Sequence, residues 1–329
     1  MTVNWDSLRT IIADNRRFVL TCHVRPDADA LGSELALAGL LEAMGRTVRI
    51  INPSAMPENL KFLDASNRIV KLGEGVTAAE AADTDVHIVL DTSAWAQLGN
   101  VADVFRTTSA AKVVIDHHVS SDALGAVEFK DTGAEATGAI IFRMTEALQL
   151  PVTPEIAVPL YAAIATDTGW FRFSSTSSDT MRIASRLIDL GAQPHILYQL
   201  LYERYTLARV KLVGCVLSRV NVDCDGRLAF TNATQADFIK TGSRPADTED
   251  IVNECLRIDG TEAAYIAIEQ QNKKIKVSFR SRSTLNVAEI AEQFGGGGHK
   301  QAAGAILSGP LAEAEAKVRS AMKAALEDN

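Results

Sequence analysis

The first half of the chain alternates short, unbroken apolar runs with longer segments of helical periodicity. Apolar runs of this length suit strands that are buried on both faces. We predict four of them, at 18–22, 47–51, 86–90 and 112–115. Helices are predicted at 5–15, 31–44, 134–148, 154–166 and 178–190. This alternation is typical of an α/β fold, with an open, mostly parallel sheet and helices on both of its faces.

The pattern changes in the second half of the chain. Residues 195–219 predict one long helix that carries the chain out of the first domain, with the boundary near Gly191 to Pro194. Further strands are predicted at 228–231, 263–269, 274–280 and 303–307, and helices at 286–294 and 310–327. We therefore expect a larger domain over 1–192, a connecting helix over 193–219 and a smaller α/β domain over 220–329.

The composition of the chain limits the classes of protein to which it can belong. The chain has 329 residues, which suits two domains, and a formal net charge of −8, which argues against a long surface for duplex nucleic acid. No apolar run reaches the roughly 18 residues that span a bilayer, and the charged N-terminus does not resemble a signal peptide. We expect a cytoplasmic protein with no membrane partner. The four cysteines have no Cys-x-x-Cys spacing, so they do not predict a zinc site.

Acidic and histidine side chains follow the predicted strands. They are His23, Asp27, Asp29, Asp91, Asp116, His117 and His118, and Asp167 follows the helix at 154–166. Each of these residues also has an ordinary structural interpretation: Asp29, for example, is well placed to cap a helix. Ligands of a parallel sheet bind at the carboxyl ends of its strands, however, and carboxylate with imidazole suits Mn²⁺ or a similar ion. We expect Asp27 and Asp29 to lie on an extended loop, facing two adjacent ions that activate water for phosphoryl chemistry.

A basic segment lies in the second half. Residues 270–300 carry six basic side chains against two acidic ones, an excess of four positive charges. The basic ones are Lys273, Lys274, Lys276, Arg280, Arg282 and Lys300. Arg280 and Arg282 are two apart on one strand, so we expect them to face the same way and to hold phosphate, whereas Lys273 and Lys274 are interpreted as ordinary surface lysines. The glycine run 295–298 favours close backbone approach to a phosphate, with a flexible turn as the alternative.

Five ordered motifs resemble the DHH phosphoesterase family. They are HVRPDADALGS at 23–33, LDTS at 90–93, DHH at 116–118, ATDTG at 165–169 and GGGGHKQAAGA at 295–305, the last similar to the DHH-associated C-terminal domain. The resemblance implies that His23, Asp27 and Asp91 hold one ion. It implies that Asp29, Asp91, His117 and Asp167 hold a second, with Asp91 as the bridge. It favours two Mn²⁺ ions, with Mg²⁺ or Co²⁺ as alternatives.

The resemblance also implies roles around the phosphate. His118 would contact the scissile phosphate or assist the leaving oxygen, and Asp116 would orient a ligand. The substrate would be held by Arg280, Arg282, Gly296, Gly297, Gly298, His299 and Lys300, in a cleft between a catalytic and a substrate-binding domain. The two-domain length is similar to family members that hydrolyse short oligoribonucleotides to 5′-mononucleotides and adenosine 3′,5′-bisphosphate (pAp) to AMP and phosphate.

Three other functions stay open at this point. A cyclic dinucleotide phosphodiesterase and a RecJ-like single-strand exonuclease would use the same metal site. A catalytically silent nucleotide-binding module is the alternative that is not an enzyme, and the full ligand set argues against it. The sequence does not decide between a monomer and a homodimer.

Overall fold

A computed structural model describes residues 3–327 of the chain. It divides into two compact units, the first ending at Arg204 and the second beginning at Tyr205. The expected single helix over 195–219 is wrong: helix α8 spans Pro194–Tyr202 and helix α9 spans Leu207–Leu217. The chain breaks between them because the Thr206 side chain accepts the Arg209 N–H and so caps the start of α9. Within the described residues, no helix has the length and apolar content of a membrane span.

The first unit contains six strands in one parallel sheet. They are β1 (Arg17–Thr21), β2 (Thr47–Asn52), β3 (Ile69–Lys71), β4 (Val86–Leu90), β5 (Ala111–Asp116) and β6 (Val127–Lys130). Their order is β3-β2-β1-β4-β5-β6, and every neighbouring pair is parallel. The four predicted strands form the centre of this sheet, and the two edge strands β3 and β6 were not predicted. Both edge strands are short and only partly buried, so neither produces an unbroken apolar run.

Helices cover both faces of this sheet, as predicted. They are α1 (Trp5–Asp14), α2 (Ala28–Ala43), α3 (Ala78–Ala82), α4 (Val101–Thr107), α5 (Thr137–Leu148), α6 (Pro154–Asp167) and α7 (Ser178–Asp189). Leu20 and Ile88 face a core that includes residues of α1, α2, α5 and α6. Their strand neighbours Val19 and Val89 face smaller cores against α3 and α4. Successive strand residues therefore bury against opposite layers, which explains the unbroken apolar runs.

The strand order places a crevice at the carboxyl ends of β1 and β4. Successive strands are added in one direction from β1 to β3 and in the opposite direction from β4 to β6. Ligands of doubly wound sheets bind at the point where this order of addition switches. From β1 the chain enters the loop before α2, and from β4 and β5 it enters the segments that start at Asp91 and His117. Helices α2 and α6 share the same core, so the end of α6 at Asp167 returns to this edge.

The second unit contains a mixed six-stranded sheet. Its strands are β7 (Asn221–Asp223), β8 (Leu228–Ala233), β9 (Ala263–Glu269), β10 (Lys274–Ser281), β11 (Gly297–His299) and β12 (Ala302–Ser308). The order is β11-β12-β10-β9-β8-β7, and only β8 and β9 pair in parallel. Helices α12 (Val287–Glu292) and α13 (Leu311–Glu327) cover one face, while α9, α10 (Gln235–Thr241) and α11 (Ile251–Cys255) pack on the other. The predicted smaller α/β unit is present.

Candidate metal centre

Asp91 lies between two histidines at the carboxyl edge of the parallel sheet. Its Oδ2 atom is 3.5 Å from Nε2 of His23, and its Oδ1 atom is 3.5 Å from Nε2 of His117. The carboxylate is buried. Because its two oxygens face different histidines, this one side chain can contact two ions at once.

Two groups of potential ligands surround Asp91. His23, Asp27 and Asp91 form one, and Asp29, His117 and Asp167 form the other, with donor atoms inside each group within 4.8 Å of one another. Nε2 of His117 lies 3.8 Å from Oδ2 of Asp29 and 3.6 Å from Oδ2 of Asp167. The structure thus brings together all six residues that the sequence suggested as metal ligands. A third group joins Asp91 and His117 to His118.

Backbone carbonyls orient His23 and His117, the histidines of the two groups. Nδ1 of His23 is 3.0 Å from the carbonyl oxygen of Val24, and Nδ1 of His117 is 3.2 Å from that of Ala134. A carbonyl can only accept, so each ring donates through Nδ1 and keeps the lone pair of Nε2 for an ion. This arrangement is common around metal-bound histidines.

Asp27 and Asp29 do not share an extended loop, and that expectation is wrong. Helix α2 begins at Ala28, because the Asp27 side chain caps it by accepting the N–H groups of Asp29 and Ala30. Asp29 therefore lies in the first turn of the helix. The predicted cap role belongs to Asp27, and the two carboxylates reach different ligand groups because one precedes the helix and the other lies within it.

Sequence reasoning missed Thr137, which begins helix α5. Its backbone N–H donates to Oδ2 of Asp29 at 2.8 Å, and its hydroxyl donates to Oδ1 of Asp91 at 2.8 Å. The next N–H, that of Gly138, donates to Oδ1 of Asp29 at 2.9 Å. The helix was predicted from residue 134, so the threonine was placed inside it. One residue thus fixes carboxylates from both ligand groups.

Burial and mutual repulsion raise the pKa values of the central carboxyls. Burial is the main cause at Asp29 and at Asp91, whose pKa lies well above its ordinary value, and neighbouring carboxylates add to both. For the same reasons the pKa of Asp167 rises to about 8. Ionised carboxylates held this closely require a compensating cation, and hard oxygen donors with two imidazoles suit Mn²⁺ and related divalent ions. The donor set therefore fits the expected metal.

Asp116, the last residue of β5, lies beneath His118. It is fully buried and accepts hydrogen bonds from Nδ1 of His118 at 2.8 Å and from the hydroxyl of Ser93, and Nζ of Lys130 is 3.2 Å away. Burial alone would raise the pKa of Asp116, but the bonds from His118 and Ser93 hold it at about 2. The bond to Asp116 in turn raises the pKa of His118.

The predicted phosphate-binding residues lie in the second unit. Arg280 of β10 pairs with Ala302 of β12, and Ala302 pairs with His299 of β11. Directly paired residues share a face of a sheet, so Arg280 and His299 lie on one face with only an alanine between them. Arg282 follows the end of β10, where its guanidinium donates to the carbonyl of Ile258 at 3.3 Å.

The glycine run is a strand and a turn rather than a free loop. A Cβ at Gly296 would collide with the carbonyl of Gly304, and one at Gly298 would collide with the backbone of Ala302 and Ala303. Close packing on β12 therefore requires glycine at these two positions, independently of any ligand. Gly297 has open space where a Cβ would stand. His299 ends β11 and Lys300 lies in the turn that follows, and both residues are exposed.

Two domains of known protein families match this chain. The DHH family N-terminal domain matches residues 17–164, and the DHHA1 domain matches residues 232–328. The chain is 29% identical to the bifunctional oligoribonuclease and PAP phosphatase NrnA of Thermus thermophilus, over 93% of this chain and 90% of that protein.

Two solved structures resemble the fold. A crystal structure of an exopolyphosphatase-related protein from Bacteroides fragilis matches with a TM-score of 0.90 at 27% identity, over 98% of this chain and 95% of that one. The exonuclease RecJ bound to manganese matches with a TM-score of 0.55 at 15% identity, over 100% of this chain and 94% of that one, a likeness of fold alone. The chain thus carries a DHH family N-terminal domain followed by a DHHA1 domain.

Proposed function

We propose that this protein is a metal-dependent phosphoesterase that hydrolyses short oligoribonucleotides to 5′-mononucleotides and pAp to AMP and phosphate. The observation that carries the proposal is the position of Asp91, whose two carboxylate oxygens face His23 and His117 at 3.5 Å each. A carboxylate that contacts two ions at once needs this arrangement. The near-full-length similarity to an oligoribonuclease and PAP phosphatase supports the choice of substrate.

Six residues would hold two divalent ions, of which Mn²⁺ is the preferred choice and Mg²⁺ or Co²⁺ the alternatives. His23, Asp27 and Asp91 would hold one ion, and Asp29, Asp91, His117 and Asp167 the other. When bound, the ions would supply Lewis acidity to the phosphate oxygens and lower the pKa of water. The protein's own contribution is the fixed orientation of these ligands by Val24, Ala134 and Thr137.

His118 is the group that would meet the reacting phosphate. Its side chain is about half exposed, and its Nδ1 proton is committed to Asp116. Because the bond to Asp116 raises its pKa, the ring is suited to carry a proton on Nε2. It would neutralise the phosphate or protonate the departing oxygen, with Asp116 holding the ring in place.

The second unit would bind the rest of the substrate. Arg280 and His299 share an open face of its sheet, and Lys300 is exposed at the adjacent turn. Arg282 and Gly296, Gly297 and Gly298 complete the proposed substrate-binding set. Gly297 is the glycine whose missing side chain leaves room for a ligand. A local basic face in a chain of net charge −8 suits a small, highly charged nucleotide better than a long duplex.

Release of AMP from pAp, measured with Mn²⁺ or Mg²⁺, tests the proposal directly. The assay should include dinucleotides to pentanucleotides and cyclic dinucleotides, which separate the proposed activity from the related phosphodiesterase. Asp91→Asn should abolish turnover, while its backbone is preserved because asparagine tolerates the positive φ of 61° at this position. Asp103→Asn, an exposed change on α4, is the matched control. Full turnover by Asp91→Asn, or a wild type inactive on every phosphoester, would refute the proposal.

A further inference from the structure

Three polar side chains of β10 lie on one face of the second sheet. Lys276, Ser278 and Arg280 alternate with the buried Val277 and Phe279, so they project to the side opposite the α12–α13 core. On this side their partners in β12 are Ile306, Gly304 and Ala302. Ile306 is 56% exposed, so helices α9 to α11 leave this part of the sheet uncovered.

These side chains have no carboxylate partner, unlike some of the other cations of the unit. Arg219, Arg227 and Lys323 each form an ion pair with a carboxylate, at 2.6, 2.8 and 2.9 Å. Among residues 3–327, by contrast, Lys276 and Arg280 form no ion pair, and the Ser278 hydroxyl has no hydrogen-bond partner. Arg280 donates only to the carbonyl of Phe279, at 3.0 Å. Lys276, Ser278 and the remaining N–H groups of Arg280 are thus free to bind an anion.

The same three side chains line one wall of a cavity of about 310 Å³. The segment 245–250 also lines the cavity, and it contributes Glu249 and Asp250. Asp250 accepts a hydrogen bond from Asn253 at 3.0 Å, whereas the Glu249 carboxylate is free among the described residues. The lining is completed by Pro245, Ala246, Thr248, Val252 and Ile266. The cavity lining therefore combines cationic donors, a carboxylate acceptor and apolar surface.

We propose that this cavity binds one ribonucleotide unit of an oligoribonucleotide, outside the phosphate that is hydrolysed. The inference rests on the proposed function and adds to it a subsite that distinguishes substrates by their number of nucleotides. Lys276 and Ser278 would bind the phosphate of this unit, Glu249 would accept from a ribose hydroxyl, and the base would lie against Pro245 and Ala246. A volume of about 310 Å³ is at the lower end of the roughly 300–1,000 Å³ typical of ligand sites, which suits a single nucleotide.

The spacing along β10 favours a strand with successive phosphates. Residues two apart on a strand are separated by about 6.7 Å. Arg280 and Lys276, four residues apart, can therefore serve different phosphates of one extended chain. A substrate such as pAp has no further nucleotide to place in the cavity. The subsite should consequently favour oligonucleotides over pAp without altering the metal site.

The test compares Lys276→Ala with Lys274→Ala. Both remove one lysine charge from the same strand, but Lys274 does not line the cavity. Steady-state kinetics should be measured on pAp, a trinucleotide and a tetranucleotide of RNA with Mn²⁺. Lys276→Ala should lower the ratio of kcat/KM for the trinucleotide to kcat/KM for pAp about tenfold, through KM. Lys274→Ala should leave that ratio within twofold of wild type.

Two further readouts separate a specific contact from general damage. The slope of log KM against log salt for the tetranucleotide should fall by about 0.7 in Lys276→Ala, as expected for one lost phosphate contact to a single strand. Glu249→Gln should reduce the preference for a ribo- over a deoxyribo-trinucleotide. An unchanged substrate ratio in Lys276→Ala, or an equal change in Lys274→Ala, would overturn the subsite. A wild type inactive on pAp and oligonucleotides alike would instead refute the proposed function.

Discussion

Nδ1 of His118 lies 2.8 Å from Oδ1 of Asp116, and the other oxygen of Asp116 lies 3.2 Å from Nζ of Lys130. The carboxylate is fully buried, so its negative charge is held in place by these partners rather than by water. Its bond to His118 fixes which ring nitrogen carries the first proton. The orientation of His118 thus depends on a residue that cannot itself reach solvent.

Asp116→Asn should lower kcat for pAp about 10- to 100-fold, the usual cost of removing a carboxylate that orients a functional side chain. The cause would be a misoriented, less basic His118, so the amount of bound Mn²⁺ should stay at the wild-type level. Turnover and metal content by mass spectrometry check this. Glu128→Gln, an exposed change on neighbouring β6, is the control. Metal loss in step with activity would show that Asp116 supports the ligands and not His118.

Thr137→Val should weaken Mn²⁺ binding by about 10- to 100-fold. The valine keeps the backbone N–H to Asp29 but loses the hydroxyl that donates to Asp91 at 2.8 Å. Thr137→Ser retains that hydroxyl and should bind Mn²⁺ as wild type does. Calorimetric titration of the metal-free protein measures both affinities. Equal affinities of the valine and serine variants would mean that the hydroxyl does not position the bridging carboxylate.

Mn²⁺ should raise the melting temperature of the wild type, because an ion that binds only the folded state stabilises it by about 2.7 kcal/mol at a hundred times its Kd. In EDTA, Asp91→Asn should be at least as stable as wild type, since it removes one of three closely spaced carboxyls whose pKa values are raised. Adding Mn²⁺ should reverse this order. Thermal unfolding with EDTA and with Mn²⁺ tests both statements, and an equal Mn²⁺ shift in the two proteins would contradict them.

Glu34→Gln should stabilise the protein at high pH and not at low pH. Glu34 is completely buried in α2, where one oxygen accepts from Asn52 at 2.8 Å and the other has no partner among the described residues. Burial raises its pKa from the ordinary value of 4.5 to about 8. The folded state therefore holds this proton, and its stabilising effect is complete below pH 4.5 and is lost as pH rises to about 8.

The glutamine at position 34 cannot ionise, so its advantage in melting temperature over wild type should grow between pH 5 and pH 8.5. Thermal unfolding in EDTA removes the contribution of bound metal. Glu42→Gln, on the same helix but partly exposed, should show no such growth. Parallel pH profiles for wild type and Glu34→Gln would show that Glu34 is already ionised in the fold.

The central strands and the candidate ligands were predictable because each depends on local sequence. A strand buried on both faces must be apolar throughout, and a polar residue at its carboxyl end lies at the common edge of a parallel sheet. His23, Asp91 and His117 all follow this rule. The edge strands β3 and β6 escaped prediction because half-burial leaves no continuous apolar run.

The sequence by itself determined the parallel sheet, the residues at its carboxyl edge and the family they resemble. Tertiary structure alone decided which oxygen of Asp91 faces which histidine, since His23 and His117 come from strands on either side of β4. It also brought Thr137 to carboxylates 46 and 108 positions earlier in the chain. Such contacts are set by how α5 packs on the sheet, and the local pattern around Thr137 carries no information about that packing.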